Sequence, residues 1–245
     1  MKARRRGWSW LVIGLVVAVC TAAVAEDLYY ESSMQTSGMQ GMQPMTMMQK
    51  VWMTKGKVKV EMTGGPMPMK VILRTDVQKM YMIMDAQRSY MEMPISQMAG
   101  MAAGMAQQMQ INVQKTGNTR QIGEWNCQEY IITATGPMPM KITSWVTTDV
   151  TVDKAMMAEM EQAMGSNPAM KALSEKTKEI EGFPIEQIVE MNMMGQQMTT
   201  KMTVSKIQQG PVPADAFDLP AGYQKMDMPA MPPGGAPQGG GMQPQ

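Results

Sequence analysis

The sequence predicts an α+β chain, mainly β, built on an antiparallel sheet. Three observations point there. Apolar and polar residues alternate with period two through a series of short runs, as in strands with one buried face. Turn signals separate the runs: Gly64-Gly65-Pro66, Gly117-Asn118, Gly136-Pro137 and Gly195. Two or three stretches with methionines at helical spacing interrupt the series.

The elements follow in order. Residues 1–25 read as a signal peptide, with Lys2, Arg4, Arg5 and Arg6 ahead of the apolar stretch Leu11 to Val19. That stretch is too short to span a bilayer. Ala23-Val24-Ala25 supplies the cleavage site, so the mature chain begins at Glu26 and its net charge moves from +1 to −3. A lipoprotein signal acylated at Cys20 would need a small residue before the cysteine, and Val19 stands there. After cleavage the chain is expected to be periplasmic or secreted, with no membrane span.

Residues 26–45 are rich in Met, Gln, Ser and Gly without an apolar period, and are expected to be disordered. Residues 46–226 form the expected β domain. Val58, Val60 and Met62 share one strand face, as do Met80, Met82 and Met84. Met138, Met140 and Ile142 share another, and so do Ile185, Val189, Met191 and Met193. Met198, Met202 and Val204 make the last such set. Strands are therefore expected over about 46–93, 110–146 and 184–208. Helices are expected at 153–164, where Asp153 is an N-cap, and from Pro168 to Ile180, with Gly182 as the stop. A weaker helical pattern covers 95–109. Residues 227–245 are rich in Pro and Gly, a composition that builds no core, and read as a disordered tail.

One motif repeats. Gly65-Pro66-Met67-Pro68-Met69-Lys70-Val71 returns as Gly136-Pro137-Met138-Pro139-Met140-Lys141-Ile142. The simplest reading is two equivalent hairpin turns, each leading into a strand with its lysine outward. The sharper reading is a paired Met-x-Met metal clamp.

Composition limits the chemistry. Of 245 residues, 36 are Met and none is His. Without His there is no Ser-His-Asp or Cys-His catalysis and no His-ligated metal. The mature chain keeps one cysteine, Cys127, which reads as a small buried residue. A charge near zero gives no footprint for nucleic acid. No phosphate loop, nucleophile elbow or metalloprotease motif is present. The reading is a non-enzymatic chain.

Several motifs occur in a specific order. They are Arg74-Thr75-Asp76, Ser89-Tyr90-Met91-Glu92-Met93, and Gly123-Glu124-Trp125-Asn126-Cys127-Gln128-Glu129-Tyr130. Ser144-Trp145-Val146-Thr147-Thr148-Asp149, Gly182-Phe183-Pro184 and the run from Val212 to Tyr223 follow. Over residues 46–226 the chain resembles domain of unknown function 4412, an uncharacterised family of exported bacterial proteins. That family looks like a branch of the LolA/LolB-type lipoprotein-carrier superfamily. The resemblance implies an open, curved half-barrel with two or three helices on its concave face. It also implies an apolar cavity for acyl chains or lipid-like ligands. It brings no catalytic residues.

Two site hypotheses follow. The first is a Met-lined cleft for a hydrophobic small molecule or lipid, or for an exported protein partner. It is formed by Trp52, Met80, Met82, Met84, Met140, Met191 and Met202 on strands, with Met157 and Met160 on a covering helix. Methionine is unbranched and polarizable and repacks around varied apolar surfaces. The alternative is that these residues replace Leu and Ile as ordinary core. The second hypothesis is Cu(I) as cofactor, held by Met34, Met39, Met42, Met45, Met47 and Met48, whose sulfurs disorder would leave free. Thioether sulfur is a soft ligand that suits Cu(I). Oxidant buffering by exposed methionines is a third reading.

Overall fold

A computed structural model of the chain describes residues 27–38, 43–65, 68–97, 110–136, 139–152, 176, 178–193 and 196–226. The signal peptide, the C-terminal tail and the helices expected at 153–164 and 168–180 lie almost wholly outside these residues. Of the pattern over 95–109, residues 95–97 are described and form a helical turn.

The described residues build one open, curved sheet of 12 strands. The first meander is β1 (Leu28–Ser37), β2 (Met45–Thr54), β3 (Lys57–Thr63), β4 (Met69–Arg74), β5 (Lys79–Met84) and β6 (Ser89–Pro94). The second is β7 (Gln110–Ile122), β8 (Trp125–Thr135), β9 (Met140–Thr147), β10 (Phe183–Met193) and β11 (Gln196–Gln209). They join where β1 pairs antiparallel with β11. A short strand, β12 (Gln224–Met226), then returns to lie parallel to β6.

Composition assigns residues 26–45 to disorder, and the structure corrects this. Residues 28–37 are β1, a central strand of the sheet. Their backbone hydrogen bonds go to β2 on one side and β11 on the other. Leu28 and Ser32 are buried. Neighbours on both edges supply the pairing that a polar, Met- and Ser-containing segment cannot supply alone.

Successive side chains of a strand point to opposite faces, and directly paired residues share a face. Traced through the registers, this rule sorts the sheet into two unlike surfaces. On one face Met62 stands beside Met69, Met80 beside Met93, and Met82 beside Met91. Met91 also stands beside Met226. Met34 lies between Met47 and Met202, and Met191 between Met198 and Met140. Every strand of the first meander contributes at least one methionine, as do β9 to β12. Val51, Val60 and Val71 continue the rows between them.

The opposite face is charged. It carries the ion pairs Lys59–Glu61 at 3.0 Å, Lys79–Glu92 at 2.8 Å and Lys141–Glu190 at 3.6 Å. Such pairs, half-buried at Lys59–Glu61 and more exposed at Lys141–Glu190, add little stability, but they identify a polar surface. Both copies of the repeated motif fit the simple reading. They lead into β4 and β9, with Lys70 and Lys141 on the charged face and Met69 and Met140 on the other.

One part of the charged face is covered. From Gly210 the chain crosses the first meander to reach β12. The Gly210 N–H donates to the Asp27 carbonyl at 3.1 Å, and the Val212 N–H to Asp27 Oδ2 at 3.0 Å. Further along, Tyr223 Oη donates to Asp85 Oδ1 at 2.9 Å. Between these anchors a 3-10 turn, Ala214–Phe217, buries Ala216 and Phe217 on Ile72 and Ile83. Tyr81, Tyr90, Leu219 and Tyr223 close the cluster. This crossing strap explains why the outward positions of β4 and β5 are apolar. A second cluster, around Leu28, Phe183, Ile185 and Val204, has Leu28 and Val204 on the methionine face with Met53 packed against it.

Candidate functional site

The methionine face is the candidate site, and its geometry follows from strand parity. Met80, Met82, Met84, Met140, Met191 and Met202 all lie on it. All six are half-buried. Met157 and Met160 lie outside the described residues. The register adds Met45, Met53, Met62, Met69, Met91, Met93, Met198 and Met226 to the same surface. Their alternation is legible in the sequence; which runs share a face is not.

Trp52 belongs elsewhere, and its grouping with the methionines is corrected. It pairs with Tyr29 and Lys59, one residue out of phase with Val51 and Met53, and so points to the charged face. Its ring packs against Tyr29 at a 46° tilt with centroids 5.1 Å apart, and Lys59 Nζ lies 5.0 Å from its centre. Its remaining contacts are with the cluster under the strap. Burial raises the neighbouring Tyr29 phenol, and its hydrogen bond to Glu31 at 2.6 Å adds to this, to a pKa of about 12.

The six methionines assigned to copper are also divided. Met34, Met45 and Met47 lie on the methionine face as members of β1 and β2, not as free sulfurs of a disordered segment. Met48 turns to the charged face and is exposed. Met39 and Met42 lie outside the described residues. Among the described residues no group of three or more His, Cys, Asp or Glu side chains gathers in a way that could hold a metal.

Two polar pairs sit among the central strands of the methionine face, while the buried Ser89 hydroxyl at its edge has no hydrogen-bond partner among the described residues. Ser32 Oγ donates to Gln49 Oε1 at 3.1 Å, and Gln187 Nε2 donates to Ser144 Oγ at 3.3 Å. Around these two pairs the central part of the face is apolar, a surface that receives apolar matter at little desolvation cost.

The second meander carries the other concentration of chemistry. Glu186 is 5% exposed and accepts hydrogen bonds from Arg120 and, at 2.9 Å, from Lys201. The Arg120 guanidinium lies 4.0 Å from the centre of the Trp145 ring. Burial alone would push the Glu186 carboxyl up, but the hydrogen bonds from Lys201 and Arg120 outweigh it and hold it below its ordinary value of 4.5. A carboxyl lowered by folding stabilises the fold above its unfolded pKa, and that contribution fades as pH falls through the folded value. Glu186→Gln is thus expected to cost roughly 1–2 kcal/mol at pH 7. The loss shrinks as pH falls below 4.5. Urea midpoints of both chains from neutral to acid pH measure it; parallel curves would remove Glu186 from the acid limb.

Beside this triad a shallow cleft of about 270 Å³ is lined by Arg120, Asn126, Cys127 and Val146 among others, and by no methionine among the described residues. Cys127 is buried, and burial raises its thiol above the ordinary value. It lacks the thiolate character of a nucleophile.

Comparisons with known proteins place the chain. Among solved structures it is similar to an uncharacterized conserved protein from Thermus thermophilus, with 8% identity and a TM-score of 0.48, over 84% of this chain and 92% of that one. It is also similar to a LolA superfamily protein from Nitrosomonas europaea, with 9% identity and a TM-score of 0.37, over 79% and 90%. A putative outer membrane lipoprotein-sorting protein domain from Vibrio parahaemolyticus matches at 8% identity and a TM-score of 0.33, over 78% and 89%. No curated protein matches. The model of the family described as Domain of unknown function (DUF4412) matches residues 33–223, from within β1 to the end of the strap. With most of the sheet inside that match, the chain belongs to the DUF4412 family.

Proposed function

We propose that the protein is a non-enzymatic, exported binding protein whose methionine face receives a lipid-like or other hydrophobic ligand. One observation carries this reading. Methionines from strands of both meanders converge on a single sheet face, while the ion pairs lie on the other. An ordinary core favours Leu, Ile and Val, whose branched shapes pack in one arrangement. Unbranched thioether chains keep several arrangements close in energy, which suits a surface that must fit different apolar shapes. The signal-peptide reading of residues 1–25 supports export, and no helix among the described residues is long and apolar enough to cross a membrane.

The test has two arms. Organic extracts of the natively purified chain, read by mass spectrometry, are expected to contain a co-purifying lipid or other apolar molecule. The fluorescent probe N-phenyl-1-naphthylamine is expected to brighten on binding the extracted protein. Met82→Glu, which sets a charge between Met91 and Val71, should weaken the probe by at least about tenfold, or 1.4 kcal/mol. Met82→Leu should leave binding near that of the parent. A clean extract together with a silent probe would overturn the reading, as would equal binding by the glutamate variant.

A further inference from the structure

We propose that Met34, Met47 and Met202 form a Cu(I) site on the methionine face. The three residues are direct cross-strand partners on three adjacent central strands, β2, β1 and β11. Such partners hold their Cβ atoms about 4.5–5.5 Å apart. Met34 is the middle member, and each neighbour can swing its thioether towards it through unbranched torsions. Met47 Sδ rests beside Gly65, where an added Cβ would come within 3.0 Å of it. The site requires that one side chain to rotate away from Gly65 and back over Met34. All three side chains are half-buried, so a small ion reaches them from solvent.

The surroundings select the metal. The row continues beyond Met202 with Gln187, and the neighbouring row carries the Ser32–Gln49 hydrogen bond. Among the described residues no carboxylate stands on this face beside the three sulfurs, because Glu31 points the other way by parity. Hard divalent cations find no oxygen anions there among the described residues, and Zn(II) and Cu(II) find no imidazole in a chain without His. Three neutral thioethers suit a soft monovalent ion, Cu(I) or its surrogate Ag(I). This differs from a copper site in a disordered leader. The ligands come from three strands, and Met202 is 168 residues from Met34 in sequence, brought to it by the β1–β11 pairing.

The test titrates the full chain anaerobically against the Cu(I)–bicinchoninate complex. The parent is expected to withdraw Cu(I), with copper-edge X-ray absorption showing sulfur ligation only. Met34→Leu/Met202→Leu keeps the face apolar and removes two ligands. It should lose at least about tenfold in Cu(I) affinity, since even loss of a ligand's supporting partner costs that much. Met191→Leu/Met198→Leu, in another three-methionine row, serves as the matched control and should retain the tight equivalent. Thermal melts confirm that both double variants fold. Equal copper retention by the first variant, loss confined to the control, or nitrogen and oxygen ligation would overturn the proposal. N-phenyl-1-naphthylamine binding by the metal-free parent chain is measured in parallel, so failure of the copper proposal is read separately from failure of the hydrophobic-ligand reading.

Discussion

Phe217→Ala is expected to lower the unfolding free energy by about 3–5 kcal/mol, the range for emptying a buried aromatic site. Phe217 is 4% exposed and packs on Ile72 and Ile83, themselves at 0% and 2%. Its Cβ sits in a 3-10 turn held at either side by the strap's hydrogen bonds, so the site has little freedom to collapse around the lost ring. In a domain of this size each kcal/mol moves the melting temperature by roughly 2–4 °C, so a fall of about 6–20 °C is expected. Calorimetry measures it. The damage should be one-sided: the strap loosens from the charged face, while N-phenyl-1-naphthylamine binding to the opposite face survives at temperatures well below the melt. Val77→Ala is the comparison. Val77 is 45% exposed in the β4–β5 turn, and its change should stay within about 0.5 kcal/mol. A Phe217→Ala chain as stable as that comparison would mean that the strap contributes nothing to holding the sheet.

Gly182→Ala should cost about 3 kcal/mol or more, combining left-handed backbone strain with a backbone clash. Gly182 has φ +116° and leads directly into β10. A Cβ placed there would stand 2.2 Å from the Thr147 carbonyl oxygen and 2.8 Å from its carbon. Neither atom belongs to a flexible side chain, and Thr147 is fully buried and paired with Phe183. Relief therefore requires β10 to move away from β9, at the junction of the core around Phe183 and Ile185. Gly117→Ala separates the two contributions. Gly117 has φ +87° but open space around its missing Cβ, so only the strain of about 1 kcal/mol or slightly more should appear. Urea denaturation of the two variants should rank Gly182 well above Gly117. Equal midpoints would show that strand β10 adjusts without losing its pairing.

The reach of sequence reading can be followed residue by residue. Alternation in Val58-Lys59-Val60-Glu61-Met62 is a local property, because a strand's two faces are set by every second residue. The runs at 46–93, 110–146 and 184–208 therefore correspond to β2–β6, β7–β9 and β10–β11. The Lys-outward reading of the repeated motif holds for the same reason. Trp52 fails locally for a non-local cause. An aromatic ring in an otherwise half-buried strand suggests the core face, but a strap arriving some 160 residues later makes its own face apolar. Residues 28–37 fail similarly. Their serines, tyrosines and glutamine carry no strong apolar period, and nothing nearby in sequence announces that β11 will complete their hydrogen bonding.

By itself, then, the sequence determined that this is a strand-dominated chain with period-two faces, a family signature from Arg74 to Tyr223, and methionine where Leu and Ile would ordinarily stand. Only the tertiary structure decided that methionines from both meanders meet on one surface, that Met34 lies beside Met202, and that the opposite face is partly closed by the strap. The physical reason is range. Side-chain parity is fixed within two residues of a strand. Which strands become neighbours depends on loop closure over many residues and on the burial gained when distant faces pair.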